Sequence, residues 1–150
     1  MAYHYLFGPV LSRRLGVSLG IDLVPQKTCT FDCVYCECGR TTNRTCERRE
    51  YVPTDGVIAE LDDYLTTGPN LDYVTFAGSG EPTLHTGIGR IISFLKDRYP
   101  RYRVAVLTGS ALLPDPEVRA SLMQADLVVP SLDAVSEDLF RQIDRPCPGV

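Results

Sequence analysis

Apolar Val17, Leu19, Ile21 and Leu23 alternate with Ser18, Gly20 and Asp22 over Val17 to Val24, the period of a half-buried strand. A long cysteine-bearing loop follows. After Pro53 and Thr54 the apolar spacing changes: Val57, Ile58, Leu61, Tyr64 and Leu65 recur as on one helix face until Gly68-Pro69, a pair that stops helices. The alternation of strand and helix then repeats. Asp72 to Ala77 reads as a strand, and Ile88, Ile91, Ile92, Leu95 and Tyr99 mark a helix ending at Pro100. Tyr102 to Thr108 predicts a third strand, after which Asp115 as N-cap and Pro116 at the first helical position open a helix through Met123. Asp126 to Ser131 is the fourth strand. Ser136 is placed to cap a last helix whose Leu139, Phe140 and Ile143 share one face, with Pro146 just beyond.

Strands alternating with helices imply parallel pairing through right-handed crossovers. The expected class is therefore α/β, one domain over 1–150, with about four parallel strand-helix units. In such sheets and barrels the reactive groups gather in loops after the carboxyl ends of the strands. The cysteine loop and a glycine-rich segment both fall there.

Composition narrows the setting. The 150 residues are 44% hydrophobic and 23% charged, ordinary for one globular domain. No run approaches a membrane span, and MAYHYLFGPV lacks the basic-then-apolar pattern of a signal peptide, so a cytoplasmic protein without membrane contact is expected. The net charge of -4 argues against a surface that attracts nucleic acid everywhere. Basic residues concentrate early: residues 1–50 carry seven Lys/Arg against five Asp/Glu. Arg40, Arg44, Arg48 and Arg49 follow the cysteines, as a local basic patch or as a solvated loop.

Of the six cysteines, four crowd into residues 29 to 38, which favours metal binding over a secreted disulfide scaffold. Cys29, Cys33 and Cys36 stand in C-x3-C-x2-C spacing on one loop. Thiolates are the ligands of iron-sulfur clusters, and four saturate a four-iron cube; three leave one iron open. The ferredoxin spacings are absent. A structural zinc site needs a fourth ligand, for which Cys38, Cys46 or His85 can serve, although zinc pairs are more often separated C-x2-C or C-x4-C. The spacing alone leaves both metals open.

After the second strand comes Gly78-Ser79-Gly80-Glu81-Pro82-Thr83. Glycines let a backbone approach a ligand closely, exposed N–H and C=O groups grip a charged one, and Glu81 adds an acceptor. Taken alone, the segment reads more readily as a tight turn with a capping Glu; beside the cysteine loop the preference reverses.

The C-x3-C-x-aromatic-C motif with Tyr35 as the aromatic, followed one strand later by Gly-Glu-Pro, resembles the radical S-adenosylmethionine (SAM) superfamily. The stretch FGPVLSRRLGVSLGIDLVPQKTCTFDCVYCECGRTT, residues 7–42, resembles a branch of uncharacterised iron-sulfur oxidoreductases, loosely similar to the tRNA wybutosine-synthesis (4-demethylwyosine synthase-like) enzymes. The resemblance implies a partial (β/α) barrel of the radical SAM type, incomplete at its C-terminal end. It implies a 4Fe-4S cluster on Cys29, Cys33 and Cys36, and SAM cleaved reductively to a 5'-deoxyadenosyl radical that abstracts hydrogen from an unknown substrate. It further implies that Gly78, Ser79, Gly80 and Glu81 hold the methionyl amino group, that Tyr35 lies near the adenine, and that Ser131 and Asp133 contact the ribose. An electron donor of flavodoxin or ferredoxin type is expected, with tRNA or another protein as candidate substrates and self-association across the open barrel edge. The alternative is a non-catalytic iron-sulfur or zinc-binding module derived from such a barrel.

Other residues have plainer readings. Cys38, Cys46 and Cys147 read as free thiols in preference to an auxiliary cluster. Arg13, Arg14 and Lys27 flank the first strand, where contact with SAM or a phosphate and surface ion pairing are equal readings. His4 and His85 lack sequence partners that would make them ligands.

Overall fold

The computed structural model describes residues 2–150. Its sheet has five strands: β1 (Leu6–Ser12), β2 (Gly16–Ile21), β5 (Tyr73–Phe76), β6 (Arg103–Thr108) and β7 (Leu127–Pro130), in the order β1-β2-β5-β6-β7. β2, β5, β6 and β7 are parallel, and β1 runs antiparallel to β2. Between β2 and α1 (Thr54–Thr66), the two-residue strands β3 (Thr28–Cys29) and β4 (Asn43–Arg44) pair within the cysteine loop. Helices α2 (Ile88–Arg98), α3 (Pro116–Leu122) and α4 (Glu137–Ile143) follow β5, β6 and β7. The expected α/β class and all four parallel strand-helix units are present.

β1 is the addition. Its Gly8-Pro9 sits at a register shift between Phe7 and Val10, and proline is accommodated at such an edge because it has no N–H to give the ladder. The first parallel strand accordingly starts at Gly16, on the return of a hairpin.

Helices cover one face of the sheet. Leu19 and Ile21, Val74 and Phe76, and Val104 and Val106 alternate toward them, as a period of two requires. They meet Val57, Leu61 and Leu65 of α1, Ile88, Ile91, Ile92 and Leu95 of α2, and Val118 and Leu122 of α3. On the opposite face Tyr73 and Ala105 are covered by Leu15 from the β1–β2 turn, with Leu127 alongside. All four residues of β5 are thus buried, which is why that strand reads as a short apolar run.

Asp115 caps α3 as its position predicts, its carboxylate accepting from the Glu117 N–H at 2.8 Å. Ser136 stands at the N-cap of α4 without a side-chain hydrogen bond, and α4 buries none of its residues. The shared apolar face is correspondingly thin: Leu139 is exposed, and Phe140 meets Phe31 edge-on at 5.5 Å. No helix among the described residues is long and apolar enough to cross a membrane.

Asp126 ties three elements together before β7. Its carboxylate accepts from Lys96 Nζ of α2 at 2.8 Å and from the Val104 N–H of β6 at 2.7 Å. Partial burial pushes its pKa upward, but the Lys96 and Val104 donors outweigh this and hold it below the usual carboxylate value. A carboxylate with a depressed folded-state pKa contributes stability that is full above its unfolded value of about 4 and is lost as pH falls through the folded value. Asp126→Asn should therefore cost about 1 kcal/mol at pH 7, and the gap to the parent chain should shrink below about pH 4. Urea unfolding at the two pH values measures both; an unchanged gap at low pH would assign the loss to geometry alone.

Candidate functional site

At the carboxyl ends of β2, β5 and β6 the chain forms a cleft of about 240 Å³. Cys29, Cys33, Cys36 and Tyr35 line it from the cysteine loop, Gly78, Gly80 and Glu81 from the glycine-rich segment, and Thr108, Gly109 and Ser131 from the ends of β6 and β7. Cys29, Cys33 and Cys36 are free, as is the exposed Cys38.

The loop is folded by local bonds. The Cys36 N–H donates to the Cys33 carbonyl at 3.2 Å and the Gly39 N–H to the Cys36 carbonyl at 3.0 Å, closing two tight turns. Asp32 pulls the loop's far limb back, accepting the Thr41 N–H at 2.7 Å. Lys27, buried at the loop's entrance, directs its ammonium at Cys36 Sγ, 3.1 Å away.

The three thiols are electrostatically unlike. Burial pushes Cys29 upward. Cys33 is pushed up to about 12 by burial and then by its hydrogen bond to Asp144 Oδ1 at 3.3 Å. Burial acts on Cys36 in the same sense but is outweighed by the Lys27 ammonium and the Cys38 N–H, so its pKa is lowered. Thiolates are the ligating and nucleophilic form; Cys36 is the one of the three that this environment favours as a thiolate. Among the described residues no three His, Cys, Asp or Glu side chains converge on a single metal ion.

Two backbone hydrogen bonds join the glycine-rich segment to the cysteine loop: Lys27 N–H to the Ser79 carbonyl at 2.9 Å, and Glu81 N–H to the Thr28 carbonyl at 3.1 Å. Gly80 makes this approach workable, since a Cβ there would lie 1.8 Å from the Thr28 carbonyl oxygen. Its bareness serves the approach of the neighbouring loop, and Gly80 also lines the cleft. Glu81 is likewise committed inward. Buried, its Oε1 accepts from Thr83 N–H at 3.1 Å, Thr83 Oγ1 at 2.6 Å and Thr108 Oγ1 at 2.7 Å, and Oε2 accepts from Gly109 N–H at 2.7 Å. Its carboxylate couples the end of β5 to the end of β6. Ser79 is absent from the cleft lining, its hydroxyl and N–H both bonded to Asp22 Oδ2.

Tyr35 and Asp133 meet directly, the phenol donating to Asp133 Oδ2 at 2.6 Å. Burial and this bond raise the pKa of Tyr35. Asp133 lies in an adjoining cleft of about 280 Å³ that shares Phe31, Gly109 and Ser131 with the first. Asp144 lines that cleft too, its pKa raised by burial and then by the carboxyl of Asp133.

Cys46 and Cys147 are not free thiols: they form a disulfide, with Cα atoms 6.6 Å apart across 101 positions. Sequence offered no geometry to bring them together. The disulfide belongs to a seam in which the tail grips the cysteine loop: Asp32 N–H to the Asp144 carbonyl (2.9 Å), Val34 N–H to Ile143 (2.9 Å), Cys147 N–H to Thr30 (2.8 Å). Arg145 adds an Nε bond to the Asp32 carbonyl at 2.6 Å and an ion pair to its carboxylate at 3.2 Å. The basic residues after the cysteines disperse: Arg48 is bonded to the Thr83 carbonyl, Arg49 stacks on Tyr51, and Arg44 donates to the Arg145 carbonyl. His85 is fully buried, with Nε2 on the Val52 carbonyl and Nδ1 accepting from Gly87 N–H.

A family model described as the radical SAM superfamily matches residues 23–149. The chain belongs to the radical SAM superfamily. The match contains both the cysteine loop and the glycine-rich segment. Among similar proteins, "GTPase Obg" of Brachyspira hyodysenteriae is 45% identical over 141 residues, which make up 94% of this chain and 21% of that protein. A UPF0026 protein of Methanocaldococcus jannaschii is 40% identical over 142 residues (93% of this chain, 44% of the relative). One of Synechocystis is 37% identical over 146 (97% and 54%). The chain thus spans between a fifth and about half of these relatives, and the UPF0026 proteins fit an uncharacterised radical SAM branch.

In this radical SAM chain the contact between the two loops gives a direct expectation. Gly80→Ala should destabilise the fold by about 1–3 kcal/mol, the usual cost of forcing atoms into a filled site. Ala exchange at exposed Gly39, whose Cβ would meet nothing, should cost less than about 1 kcal/mol, the remainder reflecting the positive φ of 85° there. Urea midpoints of the two variants compare them; equal losses would mean that the loops do not depend on the close contact.

Proposed function

We propose that the cleft holds a 4Fe-4S cluster on Cys29, Cys33 and Cys36 with SAM against Gly78 to Glu81, in a partial radical SAM barrel that acts on a further substrate. The observation that carries the reading is that one cleft is lined by all three free thiols of the motif together with Gly78, Gly80 and Glu81. The donor set fits the group. A four-iron cube spreads its thiolates over different irons, so it asks for thiols around a shared cleft instead of convergence on one point.

A cluster and SAM held there would supply reductive cleavage of a carbon-sulfur bond and radical abstraction of hydrogen, with electrons from a flavodoxin- or ferredoxin-type donor. The chain's own tasks are binding, orientation and shielding. Lys27 stabilises Cys36 as a thiolate, and Asp144, hydrogen-bonded to Cys33 Sγ, is placed to take the proton that Cys33 must lose on ligation. Glu81, tied to Thr83, Thr108 and Gly109, fixes the distance between the β5 and β6 loops, so the backbone groups that would meet the methionyl end of SAM are held in place. Ser79 acts through Asp22, and Tyr35 and Asp133 act as a hydrogen-bonded pair beside Ser131. Phe31 and Leu107 supply apolar walls on the neighbouring sides of the cleft.

Anaerobic reconstitution with iron and sulfide, followed by metal counting and visible absorption, tests the ligand assignment. Replacing Cys29, Cys33 or Cys36 by Ala should abolish cluster assembly, whereas Cys38→Ala should retain it. An intact cluster in Cys33→Ala, or zinc in place of iron in the anaerobically isolated protein, would overturn the reading. Incubating the loaded parent chain with SAM and dithionite should release 5'-deoxyadenosine, detected by chromatography and mass.

A further inference from the structure

On the face of the sheet away from the helices lies another cavity, of about 280 Å³. Its walls are apolar: Leu107 of β6, Leu127 and Val129 of β7, and Leu15 from the β1–β2 turn. It shares Leu107 and Ser131 with the cysteine-lined cleft, so the two are neighbours across those side chains. Its charged lining residue among those described is Arg14, accompanied by Ser12.

The turn is built to carry Arg14 to this place. Ser12 Oγ accepts the N–H groups of both Arg14 and Leu15, at 3.3 and 3.2 Å. Leu15 packs against Tyr73 and Ala105, anchoring the tip on the sheet. Gly16 has φ +67°, and a Cβ there would lie 2.2 Å from Asp72 Oδ2, the atom that accepts the Val17 N–H at 2.8 Å. The tip is therefore fixed by a side-chain bond before it, an apolar anchor in it and a bare left-handed residue after it. Against that effort, the guanidinium of Arg14 has no ion pair or hydrogen bond among the described residues.

We propose that this cavity is a binding site for a small anionic molecule with a short apolar body, whose carboxylate or phosphate headgroup is taken by Arg14. The planar guanidinium fork matches either oxyanion in a bidentate manner. The volume of about 280 Å³ lies just below the roughly 300 to 1,000 Å³ of ligand pockets, so it suits only a small molecule. With the headgroup at Arg14, the apolar body lies along Leu127, Val129 and Leu107, and the last of these brings it to the edge of the cysteine-lined cleft. Binding of this molecule does not rest on the proposed function.

The test uses the full chain without iron or SAM, so its failure would leave the cluster assignment standing, and failure of the cluster assignment would leave it standing in turn. Equilibrium dialysis is run with hexanoate, hexyl phosphate, 1-hexanol and hexylamine. At least one of the two anions should bind tenfold or more tightly than the alcohol, with hexylamine weakest, and the stronger anion identifies the headgroup. Arg14→Met should weaken anion binding tenfold or more without changing that of 1-hexanol, while Leu127→Asn should weaken both. Failure of both anions to bind, hexylamine binding as tightly as hexanoate, or unchanged anion affinity in Arg14→Met would overturn the proposal. Should Arg14→Met fail to fold, the parent chain titrated in rising sodium chloride decides instead: falling anion affinity supports the proposal, and salt-independent affinity overturns it.

Discussion

Two backbone hydrogen bonds hold the site together, from Lys27 to Ser79 and from Glu81 to Thr28. They let loops from two different strands share one cleft, and the absence of a side chain at Gly80 leaves room for them. Around this contact Ser79 is paired with Asp22, and Glu81 with Thr83, Thr108 and Gly109, while Asp22 Oδ1 is buried without a partner. Most buried polar groups are hydrogen-bonded. Here the bonds of Glu81 also set the spacing between the cysteine loop, the glycine-rich segment and the next strand.

The repeating elements were legible because their chemistry is local. Val74 and Phe76, or Ile88, Ile91, Ile92 and Leu95, declare a strand or a helix by their own spacing, and Asp115 declares a cap by standing before Pro116. β1 was illegible for a local reason as well: Gly8-Pro9 is punctuation in a sequence, and only the neighbouring β2 turns it into an edge irregularity. α4 shows the converse. Its apolar residues repeat correctly, yet the helix buries none of them, because periodicity names a face without naming what covers it.

The site divides along the same line. The three cysteines and the Gly-Ser-Gly-Glu string are short motifs, and their meeting in one cleft follows from both lying beyond carboxyl ends of neighbouring parallel strands. Lys27 could be seen only as one of several nearby cations, since its contact with Cys36 depends on the path of the intervening loop. Asp144, Arg145 and Cys147 gave no local signal at all: each meets the cysteine loop from more than 100 positions away. Glu81 was recognised as an acceptor, but its direction, inward to Thr108 and Gly109, is a property of the assembled sheet.

The long reach of that tail has a consequence for how the protein matures. The cysteine loop leaves the ribosome early, yet the groups that close its back, from Ile143 to Cys147, are made more than a hundred residues later. During synthesis Asp32, Val34 and Thr30 must wait with their backbone groups turned to water, and the free thiols wait with them. Completion of the thiol pocket thus comes after translation of its ligands, and the order of vectorial synthesis separates the making of the thiols from the moment at which they can be enclosed.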